Sequence, residues 1–258
     1  MHRFFVAADV RAGRDVLLTD EQAHQIARVL KLRTGEEIIL VPTGQPSAHA
    51  GEWLVRLRAV ETRSVRGSIV AERAILPEPA CAVTLCVAPL KGERFDWLVQ
   101  KATEIGVATI QPALTARTVR RTRGEDSGAL ARWRRIATEA AEQSGRGIIP
   151  DLPAPTDLLA VTTRGRVLVA HEGVEGDAAH TPFTALSPDT AATTLFIGPE
   201  GGFAEDEVAA IIARYEAVAV SLGPRVLRAE TAAITAVTLA LAATGNLRPP
   251  VSRPWLAL

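Results

Sequence analysis

Two loops in the last third of the chain constrain its fold more than anything else in the sequence. Ile197-Gly198-Pro199-Glu200-Gly201-Gly202 follows Thr193-Thr194-Leu195-Phe196, a β-branched and apolar run that reads as a buried parallel strand. Glu205-Asp206-Glu207 comes next, three acids suited to the positive first turn of a helix running to about Tyr215. The second loop, Leu222-Gly223-Pro224-Arg225-Val226-Leu227-Arg228-Ala229-Glu230-Thr231-Ala232, follows the strand-like Val218-Ala219-Val220-Ser221 and opens an Ala-rich helix. Both loops therefore leave the carboxyl ends of neighbouring strands. Open α/β sheets bind their ligands there.

Gly198, Gly201 and Gly202 let the backbone approach a ligand closely. Glycines at a helix start suggest a phosphate, yet no Lys-Ser or Lys-Thr follows them as a P-loop requires. Glu200 also places a carboxylate where phosphate would sit, which favours a neutral or cationic ligand. Taken alone, Gly-x-x-Gly-Gly also describes an ordinary strand-to-helix turn. The two loops together resemble the cofactor-binding segments of the SPOUT superfamily of methyltransferases. Within it, IGPEGG followed by LGPRVLRAETA is similar to the RsmE family, which methylates N3 of a uridine in 16S ribosomal RNA. The resemblance implies S-adenosylmethionine, a sulfonium cation, as cofactor. It implies a pocket built from Ile197, Gly198, Pro199, Glu200, Gly201 and Gly202 in the first loop. The second loop would add Leu222, Gly223, Arg225, Val226, Leu227, Thr231 and Ala232.

The 258 residues allow one large or two modest domains. With 47% hydrophobic and 22% charged residues, the chain can bury a core and is not of the disordered class. The formal net charge is zero, so no global charge argues for nucleic acid. The charge is uneven, however. Between Lys91 and Arg146 bases outnumber acids, and nearly all are Arg, the better side chain for bidentate phosphate contacts. Cys81 and Cys86 lie on a strand-like run at odd spacing, which points them to opposite faces and predicts reduced, buried thiols. The histidines show no metal-ligand spacing. No long apolar run or signal segment is present, so the expectation is a cytoplasmic protein with neither membrane nor metal.

Residues 1–75 read as a small, mostly β domain. Arg3-Phe4-Phe5-Val6 forms a first strand, and Asp20 is placed to cap a short helix bearing Ala23, Ile26, Ala27 and Leu30 on one face. Trp53, Val55 and Leu57 alternate with Arg56 and Arg58, as a half-buried strand requires. Such arginines describe a solvated face as readily as an RNA platform. A barrel of this size resembles the family's PUA-like RNA-binding domain, which implies that Arg3, Arg56 and Arg58 face RNA. Pro77 and Pro79 mark a linker at which the chain looks divisible without opening either core.

Residues 76–258 alternate strand and helix, the signature of a parallel α/β sheet. Ala82 to Ala88 is its first strand, and after Lys91-Gly92-Glu93-Arg94 a helix carries Phe95, Leu98, Val99, Ala102 and Ile105 along one stripe, ending at Gly106. The segment KGERFDWLVQKATEIGV is again similar to the family, where Lys91 and Arg94 would lie toward RNA. Ala116 to Gly128 reads as a mobile connection whose Arg117 and Arg120 are RNA candidates. The next helix ends in Glu142-Gln143-Ser144-Gly145-Arg146, a family-like pattern in which Arg146 would face RNA and Gly145 equally reads as a cap. His171 and Glu172, after the strand Arg166 to Ala170, would form a third wall of the pocket by resemblance. The resemblance also implies a trefoil-knotted C-terminal SPOUT domain and a homodimer through it, acting on 16S rRNA in the assembled or assembling small subunit.

Uracil N3 carries a proton, so methylation there needs deprotonation and stabilisation of charge on O2 and O4. Arg228 is the candidate for holding the anionic base. Glu230 either orients Arg228, accepts the proton, or serves only the first turn of its helix. Two other functions remain open: a SPOUT enzyme acting elsewhere on RNA, such as a ribose 2′-hydroxyl, and a non-catalytic RNA-binding protein. Intact glycines in both loops argue against the latter.

Overall fold

In the computed structural model, residues 1–43, 51–118, 126–173 and 183–248 are described. The chain forms two compact units, Met1–Glu78 with Thr138–Ile149, and Pro79–Ala137 with Pro150–Leu258.

The first unit holds a six-stranded sheet built from β1 (His2–Ala7), β2 (Arg11–Ala12), β3 (Asp15–Thr19), β4 (Glu37–Thr43), β5 (Gly51–Val60) and β6 (Ser64–Ala74). Its spatial order is β1-β4-β5-β6-β3-β2, parallel between β1 and β4 and antiparallel elsewhere. Period-two alternation decides which face each residue takes. In β3, Val16 and Leu18 are buried while Asp15, Leu17 and Thr19 are exposed. Phe4, Leu18, Ile26, Ile38, Leu40, Val55 and Leu57 fill the core beneath the sheet. The expected short helix is present as α1 (Asp20–His24), running on into a π-helical turn at Gln25–Val29. Asp20 does not cap it. Thr19 occupies that position without a side-chain bond, and Asp20 itself has φ 53°, inside the first turn.

The second unit carries β7 (Ala82–Val87), β8 (Thr109–Leu114), β9 (Thr156–Asp157), β10 (Arg166–Ala170), β11 (Ala192–Ile197) and β12 (Val218–Val220). Their order is β12-β10-β11-β7-β8-β9, with every pairing parallel. Five consecutive residues of both β7 and β11 are buried, as expected where a parallel sheet is covered on both faces. The helices are α2 (Arg94–Ile105), α3 (Asp126–Ser144), α4 (Glu205–Tyr215) and α5 (Ala229–Ala243), the C-terminal part of α3 belonging to the first unit. The Ala-rich α5 packs against α2, β7 and β11. Gly106 caps α2 at φ 114°, with its N–H reaching Ala102 and Thr103. Cys81 and Cys86 are free and buried, and burial pushes both thiols up from their ordinary range. Among the described residues no helix is long and apolar enough to cross a membrane.

Candidate active site

The strands before the two loops, β11 and β12, are not neighbours as expected; β10 lies between them and pairs in parallel with both. The carboxyl ends of all three therefore share one edge and deliver three loops to one place. The loops enclose a cavity of about 260 Å³. His171 and Glu172 line it after β10, and Ile197, Gly198, Pro199, Glu200, Gly201 and Gly202 line it after β11. From the β12 loop come Leu222, Gly223, Arg225, Val226 and Leu227, with Ala232 from the first turn of α5. Every pocket residue expected from the sequence is thus gathered, with one exception. Thr231 is exposed on α5 and does not line the cavity. Ala170, Phe203, Ser221 and Ala229 also line it, each a sequence neighbour of an expected residue.

The β11 loop has a fixed shape. A Cβ on Gly198 would lie 2.9 Å from Phe203 N and 3.1 Å from Gly202 C, so only glycine lets the loop close on itself. Gly202 sits at φ 70° and donates to Pro199 O at 2.9 Å. Because β11 lies beside β7, Glu200 reaches the loop that follows β7. Its Oε1 accepts from Lys91 N at 3.3 Å and lies 3.3 Å from the Arg94 guanidinium. Glu172, Glu200 and Arg225 are the charged residues of the lining, which also includes His171.

Arg228 occupies the N-cap position of α5, exposed, between the lining residues Leu227 and Ala229. Glu230 lies in the first turn of α5, as expected. Its Oε2 is buried with no hydrogen-bond partner among the described residues, a costly arrangement that a purely helical role leaves unexplained.

A family model described as RNA methyltransferase domain matches residues 77–241. A Synechocystis protein, ribosomal RNA small subunit methyltransferase E, is 34% identical over 93% of this chain and 76% of its own length. The chain belongs to the ribosomal RNA small subunit methyltransferase E family. Among solved structures, a Legionella pneumophila methyltransferase in complex with the cofactor SAM superposes with a TM-score of 0.81 at 29% identity, covering 93% of this chain and 97% of that one. The family's Neisseria gonorrhoeae member, bound to S-adenosyl methionine, gives a TM-score of 0.77 at 27% identity over 92% and 95% of the two chains.

The residues expected to meet RNA in this family member fare unevenly. Arg3 and Arg146 are corrected. Arg3 is largely buried and pairs with buried Glu52 at 2.6 Å, while Arg146 is buried and pairs with Glu78 at 2.6 Å. Neither offers charge to solvent. Arg56 is half-exposed but pairs with Glu37 at 2.8 Å, and Arg58 is exposed with its Nε on Ser68 Oγ at 3.2 Å. Lys91 is exposed, and Arg94 shares Glu200. Arg117 donates to the carbonyl oxygens of Gly201 and Phe203, and Arg120 lies outside the described residues. Sequence reasoning passed over Arg28, Lys31 and Arg33, three exposed cations with no carboxylate partner among the described residues. Arg28 lies in the last turn of the π-helical segment, Lys31 and Arg33 come just after it, and Lys31 has φ 54°. Unusual helical geometry and left-handed non-glycine residues cluster at working sites.

Proposed function

We propose that this chain transfers a methyl group from S-adenosylmethionine to N3 of a uridine in 16S rRNA of the small ribosomal subunit, in the cytoplasm. The observation that carries the reading is the cavity itself, where three loops from adjacent parallel strands converge on glycine backbone. Its residues fit the cofactor. Gly201 brings bare backbone to the cavity, and an added Cβ there would touch only Arg117 Cδ at 3.5 Å. Leu222 and Leu227 supply apolar wall, and the carboxylates of Glu172 and Glu200 suit a sulfonium cation better than a phosphate.

When bound, the sulfonium supplies an electrophilic methyl group and leaves as a neutral thioether. The chain's part is alignment and charge. Holding cofactor and base in line removes much of the entropic barrier. Arg228, exposed beside the cavity rim, holds the uracil oxygens on which negative charge develops as N3 loses its proton. Glu230, with its unpartnered Oε2, either receives that proton or orients Arg228.

The finer architecture belongs to the same reading. A trefoil knot in the second unit is supported by α5 lying against both β7 and β11, the central strands. The six-stranded first unit serves as a PUA-like RNA-binding domain, supported by its exposed Arg28, Lys31, Arg33 and Arg58. A homodimer through the second unit is supported by apolar residues left exposed there, Val226 and Leu239 among them.

The test is mass spectrometry of 16S rRNA from a deletion strain, complemented with the wild type or with Arg228→Ala. One 3-methyluridine should be missing, restored by the wild type and not by the variant. A missing ribose methyl would move the chemistry to a 2′-hydroxyl, and an unchanged methyl inventory would remove the enzymatic reading. Light scattering should show a dimer; a fully active monomer would end that part.

A further inference from the structure

We propose that Arg117 is a positioning residue of the cofactor cavity, holding the Gly198–Phe203 loop in its binding shape from outside, and is not an RNA contact. This inference rests on the cavity being the S-adenosylmethionine site. Arg117 does not line the cavity; it acts through the loop's backbone. Its Nη1 donates to Gly201 O, with a longer contact to Phe203 O at 3.4 Å. Its methylene stem runs along the same stretch. Arg117 Cδ lies 3.5 Å from where a Cβ on Gly201 would stand, and Nη1 lies 3.9 Å from the same point on Gly202.

The residue is itself held in place. Thr115 and Thr118 close the turn that presents it: Thr118 N donates to Thr115 O at 3.1 Å, Thr115 N to Thr118 Oγ1 at 2.9 Å, and the two hydroxyls lie 2.8 Å apart. Thr118 is buried. One carboxylate then joins this turn to the loop's far end. Glu207 accepts from Ala116 N at 2.6 Å through Oε1 and from Ala204 N at 2.9 Å through Oε2. The start of α4 and the residue before Arg117 therefore share one anchor.

Such a brace matters because glycine-rich backbone loses the most freedom on ordering. A loop with Gly198, Gly201 and Gly202 would otherwise sample shapes in which its amides and carbonyls miss the ligand. A charged donor on the carbonyls limits that sampling before the cofactor arrives, and preorganisation lowers the cost of binding.

The experiment compares the full-length wild type with Arg117→Ala and Arg117→Lys by calorimetry against S-adenosylmethionine without RNA. Filter binding to a 16S rRNA fragment across a salt series runs beside it. Arg117→Ala should bind the cofactor about tenfold more weakly or worse. Its KM for the cofactor should rise while kcat at saturation stays within about twofold. Arg117→Lys should recover part of the affinity, since an ammonium reaches Gly201 O without the guanidinium fork. RNA affinity and salt slope should not change, nor should melting of the cofactor-free protein.

Unchanged cofactor affinity in Arg117→Ala overturns the proposal, whether or not RNA binding falls. If Arg117→Ala does not fold, Arg117→Lys decides alone: weakened cofactor binding with unchanged melting supports the brace, and wild-type affinity overturns it. Should the wild type itself show no saturable cofactor binding, the cavity reading fails, and that outcome is told apart because no variant enters it.

Discussion

Gly198 and Gly201 stand three residues apart in one loop, yet a side chain would meet very different surroundings at each. At Gly198 the added carbon runs into Phe203 N and Gly202 C, backbone atoms that cannot swing aside. At Gly201 it meets only Arg117 Cδ, at ordinary contact distance. Gly198→Ala should therefore lower the melting temperature and abolish cofactor binding together. Gly201→Val should melt like the wild type and still lose cofactor affinity, because its methyls crowd Arg117 and disturb the carbonyl that Arg117 holds. Calorimetry paired with thermal melting separates the two. Full cofactor affinity in Gly201→Val would take this loop out of the binding site. The same distinction explains what a single sequence conveys about residues. Glycines in a strand-to-helix loop announce close approach, but which approach is internal and which is to ligand depends on where Phe203 folds back. Arg3 and Arg146 show the reverse case. Their carboxylate partners, Glu52 and Glu78, are remote along the chain, so nothing local reveals that these cations are consumed in the interior.

Helices and strands were readable wherever one period ran long enough. The stripe of Phe95, Leu98, Val99 and Ala102 in α2 is buried as its spacing predicts, and Gly106 closes the helix in the left-handed region. By contrast β2 has two residues and β3 five, too short for alternation to stand out beside the turn at Gly13. The C-terminal end of α3 is the element whose role depends most on tertiary context. Ala141 packs in a cluster with Phe5 and Val41, joined by Ile39, Ile75 and Ile149. Next along the chain, Glu142 Oε1 accepts from Phe5 N at 3.1 Å. Desolvation raises the Glu142 carboxyl above its ordinary value, aided by nearby Glu139, against the lowering effects of the Phe5 bond and Arg3. A carboxyl with a raised folded-state pKa contributes its stability below the unfolded value and loses it as pH climbs through the folded one. Glu142→Gln keeps an acceptor for Phe5 N without the charge. Its melting temperature should exceed the wild type's at pH 7, and the difference should fade by about pH 4, near the ordinary carboxylate value. A variant less stable than wild type at pH 7 would show that the ionised carboxylate is a net stabiliser there.

At the scale of the whole molecule, the proposed work divides between the two units, with cofactor loops in the second and RNA capture in the first. Pro77 to Ala80, where the sequence looks divisible, would be a poor place to test this by cutting. Glu78 holds the Arg146 guanidinium and Gly147 N, and residues 138–149 belong to the first unit. A fragment starting there would carry the end of α3 stripped of Phe5, Val41 and Ile75. Weaker RNA binding could then come from unfolding as easily as from absent phosphate partners. Substitution in the intact chain avoids the problem. Arg28, Lys31 and Arg33 are exposed and unpaired with any carboxylate among the described residues, so replacing all three by Ala removes charge without breaking an ion pair. Removing one cation from a phosphate should flatten the dependence of log affinity on log salt by roughly 0.7 to 0.9. The triple variant should therefore bind a 16S rRNA fragment more weakly, with a slope shallower by about two units, while S-adenosylmethionine affinity and melting stay at wild-type values. Methylation would then fail at subsaturating RNA and recover as RNA is raised. If the slope instead stays as steep as in the wild type, the phosphates are held elsewhere, and Lys91 and Arg94 become the next cations to replace.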